Sequence, residues 1–539
     1  MPFIMQDVNE DYLLSRKRIF SATVIVIIIT LLSKISGLAR DQIMTGYFGM
    51  SYDTDAYTWA FFIPNLFKIL FAESLIIAAF IPIYSSYLKE KKKEEIRIFI
   101  SSVTNIMILF FIFISLVIFI FSPQIGILLS KIANNLMDIN KFVIMSRIMS
   151  FSVLTLSMSG LTTGILNSHN IFTIPSFAPF VLNIMTILFV VFLSHRLGII
   201  SIAIGTMVGS MLQLIIQIPQ LKVSKVKYNF KIDFKNKAVR EILSLMLPIL
   251  LSLGAVQVNV SVDKFFALSL GAGNTTALDI AWRVTNLPFG VFSVAVITVL
   301  YPLISRQAAT EDIKGIKESF SLGVREMGYI MLPAITGLII LSHPIIKLLF
   351  ERNNFTSADT TKVATILIFQ SLGLIFFGLL IILNRIFYAF KNVKTPLKVA
   401  LVSILINAFL DWLFIKFLNV AGLALSTSLV AAFNMLALIF ILRKKVGFLG
   451  GKRIAKSFGK IMLSSAIMGA AIYFAWSLLE KYAYINLWYH IIILLSIIIL
   501  GAGLYIFFTY IFKMEEVKFV FNLFKNLKGS KKVESAGND

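Results

Sequence analysis

The chain reads as an all-α polytopic membrane protein of about 14 transmembrane helices. They form two six-helix lobes in parallel pseudo-repeat, followed by two C-terminal helices. Three observations predict this class. Apolar runs of about 20 residues, each long enough to cross a bilayer as a helix, recur from end to end. The 539 residues are 58% hydrophobic and 14% charged, where a soluble domain carries about 25% charged residues; the mean hydropathy is +0.88. The runs are continuous rather than alternating, which suits helices and not barrel strands.

The expected spans lie at 19–48, 56–87, 98–122, 143–168, 177–194, 198–221, 241–270, 277–305, 320–349, 361–389, 396–417, 420–442, 457–479 and 487–512. The residues before the first run are polar and mixed in charge, and no small-residue cleavage pattern follows it. The run is therefore expected to stay as span 1 rather than leave as a signal peptide. Span 1 carries Lys34, Arg40 and Asp41, with Gly37, Gly46 and Gly49 as helix-weakening points. Span 2 has Asp55 near its outer start, then Pro64, Lys68 and Glu73. Residues 222–240 form a polar loop in which Tyr228, Phe230, Ile232 and Phe234 alternate with Asn229, Lys231, Asp233 and Lys235. We read it as a connector resting on anionic headgroups, with partner docking as the other reading. Span 7 holds Asp263 and Lys264. Span 8 holds Asp279 and Arg283, four residues apart on one helical face. Asn407 and Asp411 share a face of span 11, and Thr427 lies on span 12.

Domain organisation follows from an internal repeat. Ala60 and Ala281, Asn65 and Asn286, Pro175 and Pro396, Ala203 and Ala424, and Gln213 and Asn434 are each 221 positions apart. Six spans separate equivalent points, so the halves share an orientation, as in transporters that bind between parallel repeats. The expected domains are an N-terminal lobe at 1–221, a basic cytoplasmic linker at 222–240, a C-terminal lobe at 241–445, and a final pair with a basic tail at 446–539. Basic residues collect at 16–18, 89–97, 222–240, 306–317, 391–398, 443–460 and 513–532. With both termini cytoplasmic, inside loops outweigh outside loops in Lys and Arg by roughly four to one.

The same asymmetry explains a net charge of +23 without nucleic acid as a partner. Cys is absent and the four His are scattered, so disulfides and thiol-ligated metals do not enter. No phosphate-binding loop is present, and no extramembrane segment is long enough for a catalytic domain. We expect a transporter, not an enzyme, and no bound cofactor.

A charge at the bilayer centre is expensive and survives where it meets a partner or a water-filled cavity. Each of Lys34, Arg40, Lys68 and Arg283 has a structural reading, as an ion pair or a snorkelling side chain. As a set drawn from both halves they point to an anionic ligand, because Arg forks match phosphate oxygens and Lys supplies a point charge. Asp263, Asn407, Asp411 and Thr427 offer carboxylate, carbonyl and hydroxyl oxygens suited to Na⁺. Protonation of Asp411 would couple H⁺ instead, and a plain polar contact between packed helices is the structural alternative.

Several motifs carry a family resemblance. Ser33-Lys34-Ile35-Ser36-Gly37-Leu38-Ala39-Arg40-Asp41 resembles the first-span signature of MurJ/MviN proteins, S-R-x-x-G-x-x-R-D. Phe48-Gly49 and Thr54-Asp55-Ala56-Tyr57 resemble their FG and TDAF. The run from Pro64 to Glu73 resembles PNLLRRLFAEG, and Ala79-Phe80-Ile81-Pro82 resembles AFVP. Phe387-Tyr388-Ala389, Lys394-Thr395-Pro396 and Gly422-Leu423-Ala424-Leu425-Ser426 match later motifs, so the resemblance covers nearly the whole chain.

The resemblance implies a flippase in the bacterial inner membrane. Its substrate would be lipid II, the undecaprenyl-pyrophosphate-linked peptidoglycan precursor, with the final helix pair bordering a groove for the lipid tail. Lys34, Arg40, Lys68 and Arg283 fall where the family keeps its cavity cations. Asp41, Asp55 and Glu73 fall on its conserved acids. Lys stands for Arg at 34 and 68, where charge is kept but bidentate geometry is lost; Ile69 replaces a second Arg, and Trp282 precedes Arg283 where Asp is frequent. The implied cycle is alternating access, reset by Na⁺, H⁺ or the membrane potential. Membrane lipids and cell-wall synthesis proteins are the expected partners. Other readings are a flippase for another polyprenyl-linked glycan, a cation-coupled drug exporter, and a non-transporting cell-wall scaffold.

Overall fold

The computed structural model describes residues 3–90, 93–224 and 228–517. Every regular element among them is a helix. In chain order these are α1 (Phe3–Phe48), α2 (Tyr52–Phe67), a π-helical segment (Lys68–Phe80), α3 (Ile81–Glu90), α4 (Lys93–Ile132), α5 (Ile139–Ser168), α6 (Thr173–Leu197) and α7 (Ile200–Ile215). A short 3-10 segment (Ile218–Ser224) precedes α8 (Lys237–Ser269) and α9 (Asn274–Ala309). Then come α10 (Ile313–Ile340), α11 (Ser342–Phe350), α12 (Ser357–Ser371), α13 (Leu374–Ala389), α14 (Lys394–Leu418), α15 (Val420–Val446), α16 (Gly451–Ala483) and α17 (Leu487–Ile511).

Nine of these among the described residues are long and apolar enough to cross a membrane, or ten if the bent pair α12–α13 is one span. The nine do not include α1, α8 and α9, the helices that carry Lys34, Arg40, Asp263, Lys264, Asp279 and Arg283. The chain divides into two compact units: Met1–Val258 with Gly271–Thr276, and Asn259–Leu270 with Ala277–Asp539.

In the first unit, α2 opens on a capping box in which Ser51 Oγ accepts from Thr54 N and Thr54 Oγ1 accepts from Ser51 N. Asp53 and Asp55 in its first turn complement the helix dipole. Pro64 sits inside α2 and has no N–H to give. Four residues later the ladder passes into the π form at Lys68, a rare register associated with functional positions. The core here is aromatic: Phe80, Tyr84, Phe99 and Phe111 are all fully or almost fully buried. Small residues let helices approach closely. A Cβ on Gly209 would lie 2.8 Å from the Leu182 carbonyl oxygen, and one on Gly205 2.9 Å from Thr186 Cα. This pair, spaced as in G-x-x-x-G, seats α7 against α6.

In the second unit, Met327, Met331, Ile382, Ile386 and Leu442 form the centre. The final pair docks through α10. The Tyr505 hydroxyl donates to the Tyr329 carbonyl at 2.7 Å, and Arg325 pairs with Glu516 at 2.8 Å and with Glu515 at 3.2 Å.

Candidate functional site

α1 is fixed where its charged run begins. Asn183 on α6 donates to the Ser33 carbonyl at 3.2 Å and to Ser36 Oγ at 3.0 Å. Gly37 faces the same side chain, since a Cβ there would stand 3.4 Å from Asn183 Nδ2. Lys34, in this stretch, is half-buried. One turn beyond Ser36, Arg40 is 5% exposed and donates through Nε and Nη2 to Asp41 Oδ1 at 3.1 and 2.9 Å. Its guanidinium lies 5.7 Å from the Phe61 ring centroid. Asp41 thus offsets part of the Arg40 charge and holds its fork. Lys68 opens the π-helical segment and is half-buried. The side chain of Glu73 lies outside the described residues.

Asp55 is fully buried and makes three charge-assisted bonds. Oδ2 accepts from Gly273 N at 2.7 Å, while Oδ1 accepts from Thr276 N at 2.9 Å and Thr276 Oγ1 at 2.8 Å. It therefore satisfies backbone donors at the start of α9, where helices leave N–H groups without intrahelical partners. Gly273 has φ +75°, and a Cβ there would meet the Met50 carbonyl oxygen at 2.8 Å. Sequence reasoning placed Asp55 but not these partners. The offset that relates the two halves, 221 positions, would have pointed from Asp55 to Thr276.

In the second unit, neighbouring charges on α8 have different partners. Lys264 Nζ lies 2.7 Å from both carboxylate oxygens of Asp279. That pairing was not expected: the sequence placed Asp279 on one face with Arg283 and gave Lys264 no partner. Arg283 is half-buried on α9, next to Trp282, whose ring meets Phe377 edge-on at 5.6 Å.

Asp263, Asn407, Asp411 and Thr427 do come together. Asn407 Nδ2 donates to Asp263 Oδ1 at 2.6 Å and to Asp411 Oδ2 at 3.0 Å. Thr427 Oγ1 donates to Asp263 Oδ2 at 2.9 Å. Asp411 is fully buried, and its Oδ1 has no hydrogen-bond partner among the described residues. Two carboxylates bridged by one amide in a buried setting leave negative charge to compensate, and the donor set is all oxygen once the Asn407 amide presents its carbonyl. In the observed orientation the Asn407 amide nitrogen, not its oxygen, faces both carboxylates, so a hard cation here would need the amide reversed. No group of three or more His, Cys, Asp or Glu that could hold a metal occurs among the described residues.

The family model described as lipid II flippase MurJ matches residues 44–494. The "Lipid II flippase MurJ" of Thermosipho africanus is 32% identical over 508 residues, covering 93% of this chain and 98% of the relative. The "Probable lipid II flippase MurJ" of Rickettsia prowazekii is 31% identical over 512 residues, covering 93% and 99%. A solved structure titled "Lipid II flippase MurJ, inward closed conformation" aligns at a TM-score of 0.74 and 30% identity, covering 91% of this chain and 98% of that one. An inward-facing MATE family multidrug transporter aligns at a TM-score of 0.61 and 14% identity, which is a likeness of fold alone.

Proposed function

The chain belongs to the lipid II flippase MurJ family, and from that premise we propose how its own residues do the work. It is a multi-pass bacterial membrane protein that flips lipid II across the bilayer by alternating access. The observation that carries this is the match across nearly the whole chain, joined to a solved relative of the same fold.

In the reading proposed here the membrane is the inner one and both termini are cytoplasmic, supported by the crowding of Lys and Arg into alternate loops. The cations assigned to the pyrophosphate are Lys34, Arg40, Lys68 and Arg283. Asp41 Oδ1, accepting from Nε and Nη2, fixes the orientation of the Arg40 guanidinium. Lys34 and Lys68 act as point charges that tolerate a shifting headgroup. Asp55 positions the 271–276 turn rather than touching substrate, and Glu73 is assigned to the same region by family position. Asp263, Asn407, Asp411 and Thr427 take Na⁺, or Asp411 takes a proton, to reset the cycle. Moving one charge through 100 mV contributes about 2.3 kcal/mol, enough to bias such a transition. Cell-wall synthesis proteins are the proposed protein partners.

The test is complementation of a MurJ-depleted bacterium by wild type and Arg283→Ala, with surface-exposed lipid II quantified and membrane insertion checked. Rescue by wild type alone supports the cation assignment. Rescue by both removes Arg283 from the mechanism, and failure of an inserted wild type shifts the substrate to another polyprenyl-linked glycan.

A further inference from the structure

We propose that the first unit binds an anionic phospholipid of the cytoplasmic leaflet, one acyl chain in an apolar cavity between the π-helical segment, α4 and α8, and the phosphate on the basic strap 228–240. The proposal rests on the membrane reading alone and stands apart from the flippase assignment.

The cavity has a volume of about 130 Å³ and is lined only by apolar side chains, among them Phe71, Val103, Met107, Phe110, Phe111 and Met246. With no polar partner it is a poor home for water. Along α4 it extends from Val103 to Phe111, about 12 Å at 1.5 Å per residue. That is most of the roughly 15 Å depth of one hydrocarbon leaflet. Its wall is open to the outside at Leu243, which is 40% exposed. A long, dry, open-sided slot at membrane depth suits an alkyl chain.

The strap supplies the other end. It is pinned to α4 at the level where the cavity begins. Ser101 Oγ accepts from Asn229 N at 3.0 Å, and Ser102 Oγ accepts from Asp233 N at 2.9 Å. Asn105 Nδ2 donates to the Asn229 and Lys231 carbonyls at 3.0 and 3.1 Å, and the Tyr228 hydroxyl donates to Asn105 Oδ1. A backbone clasped this way holds its side chains outward. Phe230 is 86% and Phe234 59% exposed, and Lys231, Lys235, Lys237 and Arg240 are exposed beside them. Arg240 Nε donates to the Phe234 carbonyl at 3.0 Å, which fixes the cation at the entrance to α8. Its neighbours Val239 and Ile242 already line the cavity, so cation and chain slot lie within one helical turn.

Charge chooses the occupant. Residues 222–240 hold seven basic residues and one acidic residue, and polybasic juxtamembrane segments with exposed aromatics favour anionic headgroups at the interface. The bonding of the strap to α4 also explains why large aromatics can stay exposed there without collapsing onto the core.

The test uses the full chain in phosphatidylethanolamine vesicles doped with phosphatidylglycerol that carries a photoreactive group midway along one acyl chain. After irradiation, labelled residues are mapped by mass spectrometry. Labelling should concentrate on Met107, Phe110 and Met246, about fivefold above the same probe built on phosphatidylcholine. The exposed triple variant Lys235→Gln, Lys237→Gln, Arg240→Gln should equalise the two probes. Met107→Trp should remove the label from Met246 while the lipid-facing Ile499 on α17 keeps it. Cavity labelling no stronger than that of Ile499 would overturn the proposal. So would equal labelling by both headgroups in wild type, or chemical crosslinks that join strap lysines to a second copy in place of lipid.

Discussion

Asp55 Oδ1 accepts both the backbone N–H and the hydroxyl of Thr276, at 2.9 and 2.8 Å, and the two residues are 221 positions apart. That separation is the offset that relates the two halves of the sequence, so an acid in the first half bonds the residue that stands at its own place in the second. Both oxygens of Asp55 are used, the other by Gly273 N. Asp55→Asn would swap an acceptor for an N–H₂ aimed at backbone donors. We expect a loss of about 2–3 kcal/mol, from the worth of hydrogen bonds to a buried charge, read as a lower melting temperature in detergent. A variant as stable as wild type would show that these bonds contribute nothing net. Gly273→Ala should fall in the same direction, because a side chain there meets Met50 at a positive φ.

The oxygen cluster in the second unit gives an ion prediction. Replacing choline chloride with NaCl at ten times the dissociation constant should stabilise wild type by about 1.4 kcal/mol. Asn407→Leu and Asp411→Asn should remove that increment. If stability follows pH but not Na⁺ in wild type, the site takes a proton; if it follows neither, the cluster is a structural contact.

Lys264 and Asp279 should behave as a coupled pair. Lys264 is almost wholly buried and Asp279 partly exposed, so either single alanine variant breaks a short, partly desolvated ion pair. A double-mutant cycle should return a coupling of about 1–2 kcal/mol. Additive losses would mean that the 2.7 Å contact carries no net energy in the membrane.

A pH effect is expected at the loop between α5 and α6. His169 caps α5, shares a 2.9 Å hydrogen bond between its Nε2 and the Tyr84 hydroxyl, and is held below the usual histidine value by burial. Its folded-state value is depressed, so this contribution to stability is present above the unfolded value of about 6.5 and is lost as pH falls through the folded one. The melting temperature of wild type should drop more between pH 7.5 and 5.5 (about one unit either side of 6.5) than that of His169→Asn. Parallel curves would remove His169 from the acid sensitivity.

Periodicity and composition were enough to place most of these helices, because the bilayer demands length and apolarity from each span and leaves few alternatives. The sequence by itself also marked the charged positions, since each is expensive in hydrocarbon and stands out against it. It grouped Asp263, Asn407, Asp411 and Thr427, which hydrogen bonds join in the fold, because helical spacing brings two of them to one face and the remaining chemistry is scarce. Only the tertiary structure decided who pairs with whom. Lys264 takes Asp279, Arg40 takes Asp41, and Asp55 takes the 271–276 turn, because partner choice depends on distances of a few ångströms that local spacing does not encode. The π register after Pro64 and the clasp of strap 228–240 on Ser101, Ser102 and Asn105 were likewise invisible in composition. Both are solutions to backbone groups that a proline or an extended segment leaves unsatisfied, and their partners come from wherever the fold brings a complementary donor or acceptor within reach.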